Sequence, residues 1–185
     1  MLRVPLVVVL AGLATQAAQP DAGAGAAPPA NPAAARCPAP EVRQFDFWLG
    51  DWDTFETDRS VPGSIARARI DPIAAGCAIH ELYEQADGLI GDSILSYDAV
   101  KRVWQQTWVT NRGGFMYLTG AFKDGAVTLE GESHLRDGKT VNMRITWKAE
   151  GPTVRESAMS SSDGGKRWEP AFDVTFKRRA ATHLP

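Results

Sequence analysis

The chain has 185 residues, of which 44% are hydrophobic and 9% aromatic, with a formal net charge of −2. Its 20 Lys and Arg against 22 Asp and Glu leave no basic stripe of the kind that neutralises phosphates, which argues against nucleic acid as a partner. Two cysteines fall short of the three or four ligands a protein metal site needs, and no resident metal or cofactor is expected.

At the N-terminus, Arg3 supplies one positive charge, Val4 to Leu13 is apolar apart from Pro5 and Gly12, and Thr15-Gln16-Ala17 and Gln16-Ala17-Ala18 offer small residues for a signal peptidase. The run is shorter than the roughly 20 residues a membrane-spanning helix requires, and its flanks are those of a secretory signal. Residues 1–17 therefore read as a cleaved signal peptide. No Cys directly follows the apolar run to be lipidated, so the expected location is periplasmic or secreted. No second apolar stretch reaches spanning length.

Between Ala17 and Arg36 ten of twenty residues are Ala, interrupted by Pro20, Pro28, Pro29 and Pro32. Each proline costs a helix interior about 3 kcal/mol, and all sixteen aromatic residues lie later, from Phe45 to Phe176. Residues 18–36 are expected to form a disordered tether. One domain is expected over 37–180, long enough to bury a core, with 181–185 as a tail. Without the signal the balance is 19 basic against 22 acidic residues. Cys37 and Cys77 both survive cleavage, and outside the cytoplasm such a pair is expected to bridge.

The domain reads as a series of short strands. They are expected over 52–57, 64–70, 77–85, 92–97, 103–110, 115–122, 126–132, 141–148, 154–159 and 168–177, separated by turn signals such as Asp87-Gly88, Asn111-Arg112-Gly113-Gly114 and Lys123-Asp124-Gly125. Spacing of roughly 8–13 residues is the signature of an antiparallel sandwich or barrel. Period two is plain in two strands. Val141, Met143, Ile145 and Trp147 share one face opposite Asn142, Arg144 and Thr146, and Phe172, Val174 and Phe176 alternate with Asp173, Thr175 and Lys177. The expected fold is all-β, an antiparallel up-and-down closed barrel of about 8–10 strands.

The choice of barrel over sandwich comes from Phe45-Asp46-Phe47-Trp48-Leu49-Gly50-Asp51-Trp52. Gly50-x-Trp52 resembles the entry motif of lipocalin-like (calycin-type) barrels. There the Gly permits a tight approach, the Trp plugs one end, and an Arg of the last strand lies across its ring. The resemblance assigns that role to Arg178 or Arg179. The ordered set of this opening with Gly76-Cys77-x-Ile79-x-Glu81, Ser96-Tyr97-Asp98, Trp104-x-Gln106-x-Trp108-Val109, Gly120, Arg144-x-Thr146-Trp147 and Ser161-x-Asp163-Gly164-Gly165-x-x-Trp168 is similar to a family of exported bacterial proteins. Their lipocalin-like domain is one of unknown function. The likeness spans residues 37–179. It implies the fold and no activity. The strand 154–160 departs from the pattern, carrying Arg155-Glu156 with no aromatic residue after them.

Among possible chemical sites, Ser161-x-Asp163-x-Gly165-x-x-Trp168 matches an Asp-box hairpin, but a propeller needs several copies. Asp163 and Trp168 are therefore expected to build a rigid turn. Of the three histidines, His183 is in the tail and His134 beside a turn. His80, in a strand next to Glu81, is the candidate axial ligand if the barrel were of a haem-binding type. The polar residues set among aromatics are Glu81, beside Tyr83, Gln106, flanked by Trp104 and Trp108, and Arg144, near Trp147. An aromatic wall with a few fixed polar groups is the make-up of a small-ligand pocket, although period two sends Arg144 away from Met143, Ile145 and Trp147. No catalytic constellation is visible, and no catalytic residue is assigned. The leading reading is a carrier of a small, mainly apolar ligand. The alternatives are an enzyme using Glu81 as acid or base in the same cavity, a haem-binding barrel, and an envelope interaction domain with a filled barrel.

Overall fold

In a computed structural model of the chain, the described residues are Cys37, 39–57, 63–135 and 137–179. The signal, tether and tail readings and His183 lie outside them. Ten strands form one closed antiparallel barrel: β1 Gly50–Glu56, β2 Ala66–Ile73, β3 Ala78–Gln85, β4 Ile90–Asp98, β5 Val103–Thr110, β6 Phe115–Lys123, β7 Ala126–His134, β8 Thr140–Glu150, β9 Thr153–Ser161 and β10 Glu169–Arg178. Each strand pairs with its neighbours in sequence, and β1 closes the ring on β10 through Trp52 opposite Arg178 and Thr54 opposite Phe176. Closure satisfies every strand edge, the usual liability of an antiparallel sheet. Most strand boundaries shift by one to three residues from the sequence reading, two of them for plain local reasons. β2 continues past Ile70 because Asp71-Pro72-Ile73 still pairs with β3. β3 begins one residue later because Cys77 ends a 3₁₀ turn over Ala74–Gly76.

Period two along each strand sorts the residues into a barrel interior and an outer wall. The interior near the start of β1 is filled by aromatic rings. Two 3₁₀ turns before β1, Pro40–Arg43 and Asp46–Trp48, carry Phe45 and Trp48 into contact with Trp104, Trp147 and Phe176, with ring centroids 5.3–5.7 Å apart. All of these rings are buried, as is Trp52. Their polar edges find backbone and side-chain partners where the packing permits. Trp52 Nε1 donates to the Trp48 carbonyl at 2.8 Å, and Trp104 Nε1 donates to Gln44 Oε1 at 3.0 Å.

The entry motif has the predicted geometry. The guanidinium carbon of Arg178 lies 4.3 Å from the centre of the Trp52 ring, over the electron-rich face that attracts a cation. Arg179 turns to Asp53 instead. Gly50 is required here twice over. Its φ is +131°, and a Cβ would stand 2.4 Å from Arg178 Nη1. The chain leading into this plug is tied down by the bridge between Cys37 and Cys77, with Cα atoms 5.3 Å apart, and by Arg43 Nη2 donating to the Gly76 carbonyl at 3.0 Å.

Three outcomes follow. Trp52→Ala should cost about 3–5 kcal/mol, the range for truncating a buried large aromatic, seen as a lower urea midpoint; an unchanged midpoint would contradict a plug that holds the barrel closed. Thiol counting in denaturant without reductant should find none free. Reduction of the bridge, which spans 40 residues of sequence, should lower stability by about 4 kcal/mol in the chain-entropy estimate.

Candidate functional site

The aromatic plug occupies one end of the barrel, and the other end is hollow. Antiparallel strands alternate direction, so the late half of β1, β3, β5, β7 and β9 and the early half of β2, β4, β6, β8 and β10 surround the same end. A cavity of about 480 Å³ lies there, within the size range of small-molecule sites. Its wall is apolar and aromatic: Ile65, Leu89, Trp108, Met116, Phe172 and Val174 line it. Trp108 sits edge-on to Tyr83, centroids 6.1 Å apart. Its indole occupies the space that a Cβ on Gly91 would need, with ring atoms 2.1 Å from that position. Gly91 thus lets the Trp108 ring lie flat against β4.

Beneath this wall, next to the plug, the inward positions turn polar. Glu81 on β3 is 4% exposed and Gln106 on β5 is 2% exposed. Ser93 on β4 joins them: its hydroxyl donates to Glu81 Oε2 at 2.8 Å, and Gln106 Nε2 donates to Ser93 Oγ at 3.3 Å. Gln106 Oε1 has no hydrogen-bond partner among the described residues. Glu156 of β9 and Glu56 of β1 also line the cavity, and no Lys, Arg or His does so among the described residues.

Burial dominates the electrostatics of this layer. Desolvation raises the Glu81 carboxyl to about 7, opposed by the Ser93 hydrogen bond and reinforced by the charge of Asp92. Glu156 is raised well above the ordinary carboxylate range, chiefly by desolvation and next by the charge of Glu81, with the neighbouring Trp147 indole acting the other way. Desolvation likewise raises the Tyr83 phenol, with help from Glu156, Glu81 and Asp87.

The residues singled out from sequence fall into three groups. Glu81, Tyr83, Gln106 and Trp108 meet in the cavity. Trp104 shares their face but lies in the plug against Phe45 and Tyr97, one layer too deep to line the cavity. Arg144 is on the outer wall, as the alternation with Met143 and Ile145 requires. It is bonded to Glu130 at 2.5 Å and stands 4.2 Å from the centre of the Trp168 ring. Its expected place in a pocket is corrected accordingly. His80 is also outside, bonded to Asp92. The Asp-box segment is a turn. Asp163 Oδ1 accepts from the Lys166 and Arg167 amides, Ser161 Oγ accepts from Gly165, and Trp168 Nε1 donates to the Gly165 carbonyl. The Arg167 amide heads the contacts that hold the Asp163 carboxyl below its usual range.

Glu156 was the member of the site that sequence reasoning passed over. The signal was present: Val154, Glu156 and Ala158 occupy one face of β9, so two small apolar neighbours mark that face as inward and put a carboxyl among them. The same alternation, Trp52–Thr54–Glu56, brings Glu56 inward on β1. The chain matches no protein-family model and no curated protein.

The raised carboxyls make stability depend on pH in a defined direction. In the folded state Glu81 keeps its proton to about pH 7, against the ordinary value of 4.5, and Glu156 acts with the same sign. The folded form then binds more protons than the unfolded chain between these values, so the contribution is fully present below pH 4.5 and is lost as pH rises to 7. Chemical denaturation across this window should show stability falling with rising pH. The double change Glu81→Gln, Glu156→Gln should flatten that fall; an unaltered slope would contradict the burial of these two groups.

Proposed function

We propose that this is an exported binding protein that holds a small, mainly apolar molecule in the open half of its barrel. The observation that carries the reading is the cavity itself, an apolar and aromatic wall above a fixed polar layer, which is how small-ligand sites are made. A barrel built only as a rigid body gains more from hydrocarbon at that level than from carboxyls, because buried polar groups cost stability that an apolar filling does not. The N-terminal apolar run and the Cys37–Cys77 bridge both fit an oxidising, extracytoplasmic location. No helix among the described residues is long and apolar enough to cross a membrane. The resemblance to exported lipocalin-like proteins of unknown function points the same way.

One observation favours a second reading. A carboxyl raised to about 7 is suited to general acid–base work near neutral pH, so Glu81 fits an enzyme acting on a small molecule in the same cavity. Binding is the stronger reading because the hydroxyl bonded to Glu81, that of Ser93, is buried beneath the wall and does not line the cavity in which a substrate would lie.

Trp108 is the built-in reporter. Titration with neutral apolar compounds such as isoprenoid alcohols or retinol should change the intrinsic Trp fluorescence saturably. Trp108→Leu should remove most of that change while circular dichroism stays that of the parent. Glu81→Gln should leave a neutral ligand bound, whereas an enzyme so altered should bind its substrate without converting it. A flat titration over several such classes, with the fold intact, would count against binding.

A further inference from the structure

The polar layer has a direction. Gln106 donates to Ser93 and Ser93 donates to Glu81, so the relay runs toward the carboxylate and leaves Gln106 Oε1 over, an acceptor without a partner on a side chain that is 98% buried. A further carboxyl, Glu156, lines the same space, and the described lining residues include no Lys, Arg or His. What the layer leaves unmet is acceptor capacity, and it holds two carboxyls that burial keeps from ionising. A buried acceptor left without a donor costs about 1–3 kcal/mol, and carboxyls crowded in a low-dielectric site disfavour one another's ionisation. Both costs vanish when something enters that carries N–H donors and positive charge. The wall above this layer, Trp108, Met116 and Phe172 with Tyr83, suits a hydrocarbon body and an aromatic or aliphatic chain.

We propose that the ligand of this cavity is an amphiphilic amine, whose protonated amino head is held by Glu81 and Glu156 with Gln106 Oε1 accepting one of its N–H bonds, and whose apolar body lies along Trp108 toward the open end. The proposal rests on the reading that the cavity binds a small molecule, and it names the chemical class. An ammonium entering the layer takes the place of the proton that such a crowded pair otherwise holds. A carboxylate or phosphate head finds no donor in Gln106 Oε1, which is itself an acceptor, and is repelled by either carboxyl once it ionises. A neutral alcohol satisfies Gln106 but leaves the carboxyls without a counter-charge.

The test uses the full domain and three probes that share one chain: decylamine, decanol and decanoate, each below its micelle concentration, by isothermal titration calorimetry. Decylamine should bind about tenfold or more tighter than decanol, with decanoate weakest. In the double variant Glu81→Gln, Glu156→Gln, decylamine affinity should drop about tenfold while decanol changes little, and Gln106→Leu should weaken the amine as well. Decanol or decanoate binding as tightly as decylamine overturns the amine proposal and leaves the binding reading standing. Absence of binding by all three overturns both together. The ranking among the three on the unaltered protein decides the matter even if a variant fails to fold.

Discussion

A ten-stranded barrel is wider than side chains from its own strands fill with ease; about eight strands give a bore that they just fill. Something must occupy the surplus space or the ring collapses around a void, and here the material comes from outside the sheet. Phe45 and Trp48, on the turns before β1, drop into the bore and pack on Trp104, Trp147 and Phe176. The segment reaches one end only, because Gly50 turns the chain at once into β1. Arg178, over the Trp52 ring, joins the last strand to the first at the same level, and the Cys37–Cys77 bridge holds the entering segment to the barrel. Filling is thereby concentrated at one end, and the other is left hollow.

The hollow end follows from that division, and so does its chemistry. The inward positions between plug and mouth face apolar rings on one side and the cavity on the other. Glu81 and Gln106 are fixed there by Ser93 in a medium of low polarity, where a hydrogen bond or a charge is worth more, and costs more to leave unmet, than at the surface. A cluster of carboxyls in such a position weakens the empty protein and strengthens a complex with the right partner. Residues outside the ring of strands have a plainer role. The Asp163 turn is closed on its own backbone amides, and the Arg144–Glu130 pair lies on the outer wall, where an exposed ion pair adds little.

The strand count, the barrel closure and the stacking of an arginine on Trp52 were all legible in sequence, since turn signals, period two and the entry motif each speak to local or sequential structure. Period two also put Gln106 on one face with Trp104 and Trp108, and gave the outward course of Arg144. What it does not give is depth along the barrel axis. Trp104 and Trp108 are equivalent by alternation, yet four residues of strand carry one into the plug and the other to the cavity. The turn positions held that information: Trp104 follows the turn after Asp98 at the plugged end, while Trp108 precedes the turn at Asn111 at the open end. Glu156 was obscured for a different reason. A charged residue on a strand is ordinarily assigned to solvent, and only its neighbours Val154 and Ala158 show that its face is the interior.

Native mass spectrometry on the protein purified from the cells that make it tests the central claim most directly, because it asks what the cavity holds without choosing the ligand in advance. The account predicts a bound species of a few hundred daltons at most, with an exact mass that requires nitrogen and a basic group, and its loss from the Glu81→Gln, Glu156→Gln variant. A protein that emerges bare under conditions that keep it folded, or one carrying an acidic lipid that the same variant retains, would contradict it.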